Sequence, residues 1–175
     1  MALWFAFLRG INLGNRQVKM AALKTCLEAA DFAAVKTVLA SGNVRFEATG
    51  TAEAIKNRME AAIEKQFGFA VGVILRDEKS MRDMLDKHPF AALDPKADVT
   101  RHVALFGDAL PRDLTLDSKP GHTEILRVDP REIYIAGYRQ PNGRYTEGVD
   151  EVMKPLDKKL SVTMRNWNTM EKMLP

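Results

Sequence analysis

The chain has 175 residues, 46% of them hydrophobic and 28% charged, with a formal net charge of +3. That length supports one large domain or two small ones, and so mild a charge permits nucleic acid without the clear basic surplus of phosphate-tracking proteins. No apolar run approaches the ~20 residues that span a bilayer, and one cysteine, Cys26, excludes an internal disulfide or a multi-cysteine metal site.

Residues 3–9 form an apolar stretch ending in Arg9-Gly10. No basic region precedes it and no small-residue cleavage site follows, so it predicts a buried strand rather than a signal peptide. Met20, Leu23, Leu27 and Ala30 recur at helical spacing. Val35 to Leu39 is a β-branched strand signal, Ser41-Gly42-Asn43 a turn signal, and Val44-Arg45-Phe46-Glu47 alternates with period two. On that alternation Val44 and Phe46 face the helices, while Asn43, Arg45 and Glu47 face outward. Thr51 is placed to cap a second helix whose apolar stripe runs through Ile55, Met59, Ala62, Ile63 and Phe67, with Gly68 ending it. Val71 to Leu75 is a fourth strand. The order βαββαβ predicts a ferredoxin-like subdomain over residues 1–76.

Asp77 begins a third helix carrying Met81, Met84 and Leu85, stopped by His88-Pro89. Residues 77–98 are therefore assigned to helix and linker. Over 99–175 a more divergent βαββαβ-like pattern follows. His102 to Phe106 predicts a strand, Leu110 to Leu116 a short helix, and the turn Asp129-Pro130-Arg131 joins two further strands. Val149, Val152, Met153, Leu156 and Leu160 share a helix face, with Pro155 either kinking that helix or beginning it. Val162-Thr163-Met164 is a last strand before a C-terminal helix. The fold class is α+β.

Two segments carry the functional signal. The first acidic residue is Glu28, and Arg9, Arg16, Lys19 and Lys24 precede it. Sheet order 4-1-3-2 would bring the 9–19 loop beside Ser41-Gly42-Asn43, at the end where the first helix begins. Cations there oppose the positive end of the helix dipole, and a bound anion would resolve the mismatch. The spacing matches neither a P-loop nor a dinucleotide fingerprint, despite Gly10 and Gly14. The second segment, Thr163 to Thr169, places Arg165, Asn166 and Trp167 together. It suits either a base or sugar site or, preferably, a helix cap with a docked tryptophan.

The runs FLRGINLGNRQVKMAALK, LASGNVRF and TMRNWNTMEKM resemble the uncharacterised bacterial family known as domain of unknown function 1697. The resemblance implies a cytoplasmic protein of two α+β subdomains, with no established activity, cofactor or catalytic residue. Its motif positions fall on Arg9, Gly10, Asn12, Lys19, Met20, Ser41, Gly42, Asn43, Arg165, Asn166, Trp167 and Thr169. Many relatives carry a Ser-Lys-Leu-type segment before the late helix; this chain instead has Thr146 to Asp150 and Pro155.

No catalytic template emerges. His88, His102 and His122 are scattered, Ser41 has no adjacent base, and Cys26 lies on a core-facing helix side. No cofactor, metal or membrane partner is indicated, and oligomeric state stays open. The leading expectation is a small anionic, phosphate- or nucleotide-like ligand held by Arg9, Gly10, Asn12, Arg16, Lys19, Ser41, Gly42 and Asn43, with Arg165, Asn166 and Trp167 contributing if the C-terminal helix returns there. The alternatives are single-stranded RNA on the sheet face, an enzyme using the same anion site, and a structural or protein-interaction module.

Overall fold

The computed structural model describes residues 1–175. Its first half is built around strand β1 (Ala2–Arg9), which is hydrogen-bonded along both edges. One neighbour is β3 (Asn43–Ala48), and the other is β4 (Gly72–Asp77). With β2 (Ala33–Val38) outside β3, the antiparallel sheet has the order β2-β3-β1-β4. Helices α1 (Met20–Ala29) and α2 (Ala52–Phe67) complete the ferredoxin-like βαββαβ unit.

Local chemistry explains α2 closely. Thr51 accepts a hydrogen bond from the Ala54 N–H, Glu53 sits in the first turn, and Gly68 ends the helix at φ 79°. Ile55, Met59 and Ile63 deliver the apolar stripe to a core shared with Leu23 and Leu27 of α1 and with Ala6, Leu8, Val44 and Phe46 of the sheet. The opposite sheet face is buried too. Phe5 lies there between its cross-strand neighbours Arg45 and Arg76, and Phe7 lies between Asn43 and Ile74. Asn43 thus lies on the face alternation assigned to it, away from the helices, but it is 0% exposed rather than open to solvent. Its amide donates to the Val38 carbonyl and to Ser41 Oγ, which meets its polar needs inside the core.

Helix α3 (Glu78–Asp86) starts where Asp77 Oδ1 accepts the Ser80 N–H at 2.7 Å. Contacts divide the chain into Met1–Met84 with Lys172–Pro175, and Leu85–Glu171. That division differs from the sequence-based 1–76, 77–98 and 99–175. Residues 89–98, assigned from sequence to a linker, form successive turns that bury Phe90, whose ring lies 5.3 Å from Trp167 and 6.2 Å from Tyr134.

The second unit repeats the strand order of the first. Strands β5 (Val99–Phe106), β6 (Thr123–Asp129), β7 (Glu132–Tyr138) and β8 (Val162–Asn166) form a sheet ordered β6-β7-β5-β8. Helix α4 (Glu147–Asp157) packs Val149, Met153 and Leu156 onto it and continues across Pro155, and α5 (Trp167–Glu171) follows β8. The short helix expected over Leu110–Leu116 does not form. Leu114 and Leu116 alternate with Asp113, Thr115 and Asp117, a period-two pattern that sends both leucines towards the core from an extended chain.

Two glycines allow the start of α4 to approach the sheet. A Cβ on Gly137 would strike the Tyr145 carbonyl, and one on Gly148 would strike Thr123 Oγ1 and come within 2.5 Å of His122 Cε1. Gly148→Ala is expected to destabilise the protein by about 1–3 kcal/mol, the usual range for overpacking a tight site. A urea-unfolding titration monitored by Trp167, in the same unit, would measure this.

Candidate functional site

The loop between β1 and α1 is built by four local features. Gly10 and Gly14 take φ values of 71° and 57°, and Asn12 takes 58°, a conformation that asparagine tolerates better than most residues. Asn12 Oδ1 accepts the Val18 N–H at 2.8 Å, and its Nδ2 donates to the Ala40 carbonyl at 3.1 Å. One side chain thus closes the loop and fastens it to the β2–β3 hairpin. The expected proximity of the 9–19 loop and Ser41-Gly42-Asn43 is present.

Gly42 makes that approach possible. It has φ 80°, and a Cβ there would stand 3.0 Å from both Ile11 Cγ2 and Leu8 Cβ. Its carbonyl accepts the Leu8 N–H at 2.9 Å. The hairpin turn spans Leu39 to Gly42, with Val38 paired to Asn43, one strand residue earlier than the sequence indicated. Leu39 adopts φ 57°, which propensity disfavours for leucine and which no local signal announces.

Helix α1 opens onto this end of the sheet. Lys19 is its N-cap residue and supplies no side-chain cap, and the first turn contains no acidic residue. Its opening N–H groups carry the partial positive charge of a helix start. Lys19 is exposed, and the Arg16 guanidinium lies 5.1 Å from the centre of the Phe69 ring. Arg9, paired with Gly72 across β1 and β4, is half-buried. Arg9, Gly10, Asn12, Arg16, Lys19, Ser41, Gly42 and Asn43 are thereby gathered at one end of the first unit. Within the group, Asn12, Gly42 and Asn43 hold the loops in place, while Arg16 and Lys19 are the cations on the surface.

Arg165, Asn166 and Trp167 belong to the second unit. Burial holds the Arg165 guanidinium down to about 10, and its Nη1 donates to Thr163 Oγ1 and the Met164 carbonyl. Asn166 Oδ1 accepts the Asn168 N–H at 2.9 Å, the start-of-helix role preferred from sequence. Trp167 is buried against Phe90 and Tyr134, and Arg101, lying over Phe90, also reaches Asn168. These residues form the aromatic heart of the second unit.

Cys26 is buried, its thiol contacts the Ala62 carbonyl at 3.5 Å, and burial pushes its pKa up. A thiol so placed is a poor nucleophile. No three His, Cys, Asp or Glu side chains converge as metal ligands. No helix is long and apolar enough to cross a membrane. Sequence reasoning missed the nearly fully buried Arg76, whose Nη1 donates to the Leu75 carbonyl, because arginine in an alternating strand ordinarily signals the solvent face. It also missed a cleft beside α4, which depends on the absent helix over 110–116.

The family described as "Protein of unknown function (DUF1697)" matches residues 1–134. The chain belongs to that family. Its match embraces the 9–19 loop and the Ser41-Gly42-Asn43 hairpin, whereas the Arg165–Thr169 motif lies beyond it. Among solved structures, a conserved bacterial protein, SP0830 from Streptococcus pneumoniae, is similar with a TM-score of 0.73 and 18% identity, covering 98% of this chain and 96% of that one. At that identity the likeness establishes the fold. No curated protein matches the chain.

Asn12→Ala removes both loop ties. It is expected to speed amide exchange at Val18 and to lower the unfolding free energy by about 1–2 kcal/mol, the sum of two modest hydrogen bonds. Asn12→Asp, which keeps the acceptor but loses the donor to Ala40, should retain Val18 protection. A second expectation concerns His102, buried with Nε2 2.6 Å from Thr100 Oγ1. Burial lowers its pKa, partly opposed by Asp150. The unfolded chain then binds more protons than the folded one below the ordinary value of about 6.5, so stability falls as pH drops through that value towards the lowered one. Urea midpoints at about pH 7.5 and about pH 5.5 should differ in this direction, and the difference should shrink in His102→Gln.

Proposed function

We propose that this protein binds a small anionic ligand, phosphate- or nucleotide-like, at the end of the first unit formed by the β1–α1 loop and the β2–β3 hairpin. The observation that carries the reading is the electrostatics of α1. Helix α2 has a threonine cap and a glutamate in its first turn, whereas α1 has neither and begins beside Arg16 and Lys19. A ligand anion would complement the helix start and both cations at once. Arg16 is partly positioned for this by Phe69, which reduces the rotamer freedom lost on binding. The lone buried thiol, Cys26, suits a reducing cytoplasm as the setting.

The RNA-binding alternative needs aromatic rings exposed on the central strands. Phe5 and Phe7 are 0% exposed, so the sheet face offers no such platform. A purely structural role is the remaining alternative, and the test below separates it from the proposal.

Trp4 lies five residues up β1 from the loop, roughly 17 Å at strand rise, so tryptophan fluorescence is a weak reporter. Backbone amide shifts report directly. Titration with inorganic phosphate and adenosine monophosphate is expected to move the amides of residues 10–22. Double substitution Arg16→Ala with Lys19→Ala should weaken binding about tenfold, equivalent to about 1.4 kcal/mol, with a stability change under about 1 kcal/mol. Unaltered affinity in the double variant, or an absence of saturable shifts, would overturn the proposal.

A further inference from the structure

The two units share a strand order, but α1 has no helical counterpart in the second. In the first unit α1 packs beside α2 over the sheet. In the second, residues 107–122 connect β5 to β6 without a helix. The space beside α4 is left as a half-open cleft of about 620 Å³. Leu114 and Leu116 line one wall, and Val152, Pro155 and Leu156 line the other. Volume and apolar walls both fall within the range of small-molecule sites, about 300–1,000 Å³.

The polar groups around this cleft are unevenly matched. Lys119 and Glu151 face each other from opposite walls, with Nζ and Oε2 3.5 Å apart. Asp113 and Asp117 also line the cleft, and neither is engaged in an ion pair. The remaining cation, Lys159, follows the C-terminus of α4, where helix carbonyls offset its charge. Pro155, on the α4 wall, has no N–H to give to the Glu151 carbonyl, which loses its usual helical donor. Apolar walls bordered by the carboxylates of Asp113 and Asp117 favour a ligand with an apolar body and a hydrogen-bond-donating cation.

We propose that the cleft between residues 111–119 and α4 binds a small amphipathic amine. The site lies wholly within the second unit and is independent of the anion site assigned to the first.

The test uses the full ¹⁵N-labelled chain titrated separately with phenylbutylamine, phenylbutyrate and phenylbutanol, three probes that share an apolar body and differ in charge. Phenylbutylamine is expected to give saturating amide shifts confined to residues 111–119 and 148–160, and to bind at least about fivefold more tightly than phenylbutyrate. Val152→Arg, which fills the cleft from the half-buried face of α4, should abolish those shifts. Because that variant risks altering the packing of α4, the double change Asp113→Asn with Asp117→Asn, at exposed positions, supplies a second criterion. It should bring phenylbutylamine close to phenylbutanol in affinity. No saturable response to the amine, equal or tighter binding of the carboxylate, or an amine preference that survives the Asp113 and Asp117 changes would overturn the assignment.

Discussion

Both sheets depend on a central strand buried on its two faces. In β1, Phe5, Ala6, Phe7 and Leu8 are all shielded from water, and in β5 Val103, Ala104, Leu105 and Phe106 repeat the pattern. An antiparallel sheet more often leaves one face wet, with alternating polar residues. Here the continuous apolar runs demand cover on both sides, and even Asn43 and Arg76 are drawn into buried positions, where their donors reach carbonyls and a hydroxyl. With the central-strand side chains occupied by packing, recognition is proposed at the strand ends and on the flank of α4. Both proposed sites lie at such places.

The two units also show how one topology takes different surface chemistry. In the first, α1 packs beside α2 over the sheet, and the distinctive feature becomes the uncapped start of α1. In the second, an extended connection replaces that helix. Gly137 and Gly148 bring α4 close to the sheet at its N-terminal end. Further along, Val152 and Pro155 border the open cleft. Loss of a helix therefore creates concavity without disturbing the strand order, since each strand still finds its neighbours.

Much of this was legible in the residues. The Thr51 cap, the Ile55–Met59–Ile63 stripe and Gly68 all act locally, through hydrogen bonds and backbone conformations that a few adjacent residues determine. The proximity of the β1–α1 loop to the hairpin followed from topology alone. What stayed hidden depends on packing and turn closure that hydrophobic alternation does not announce. Asn43 is buried because Val38 and Ser41 meet its amide, and Leu39 takes a left-handed conformation because the turn must close between paired residues Val38 and Asn43. The helix expected over Leu110–Leu116 was an error of period: two leucines at alternate positions already signalled an extended segment. Trp167 read as a docked residue in preference to a stacking surface for a ligand, but the rings it docks against, Phe90 and Tyr134, lie far away in sequence.

The first unit is not continuous in the chain. Lys172–Pro175 belong to it, and the Met173 carbonyl accepts a hydrogen bond from Arg45 at 3.3 Å across 128 residues of sequence. A ribosome must therefore make the whole of Leu85–Glu171 before the first unit can acquire these contacts. At synthesis rates of about 5–20 residues per second, that interval is roughly 4–18 s. During it the nascent Arg45 guanidinium lacks this acceptor, and the second unit gains time to fold before Met173 reaches Arg45.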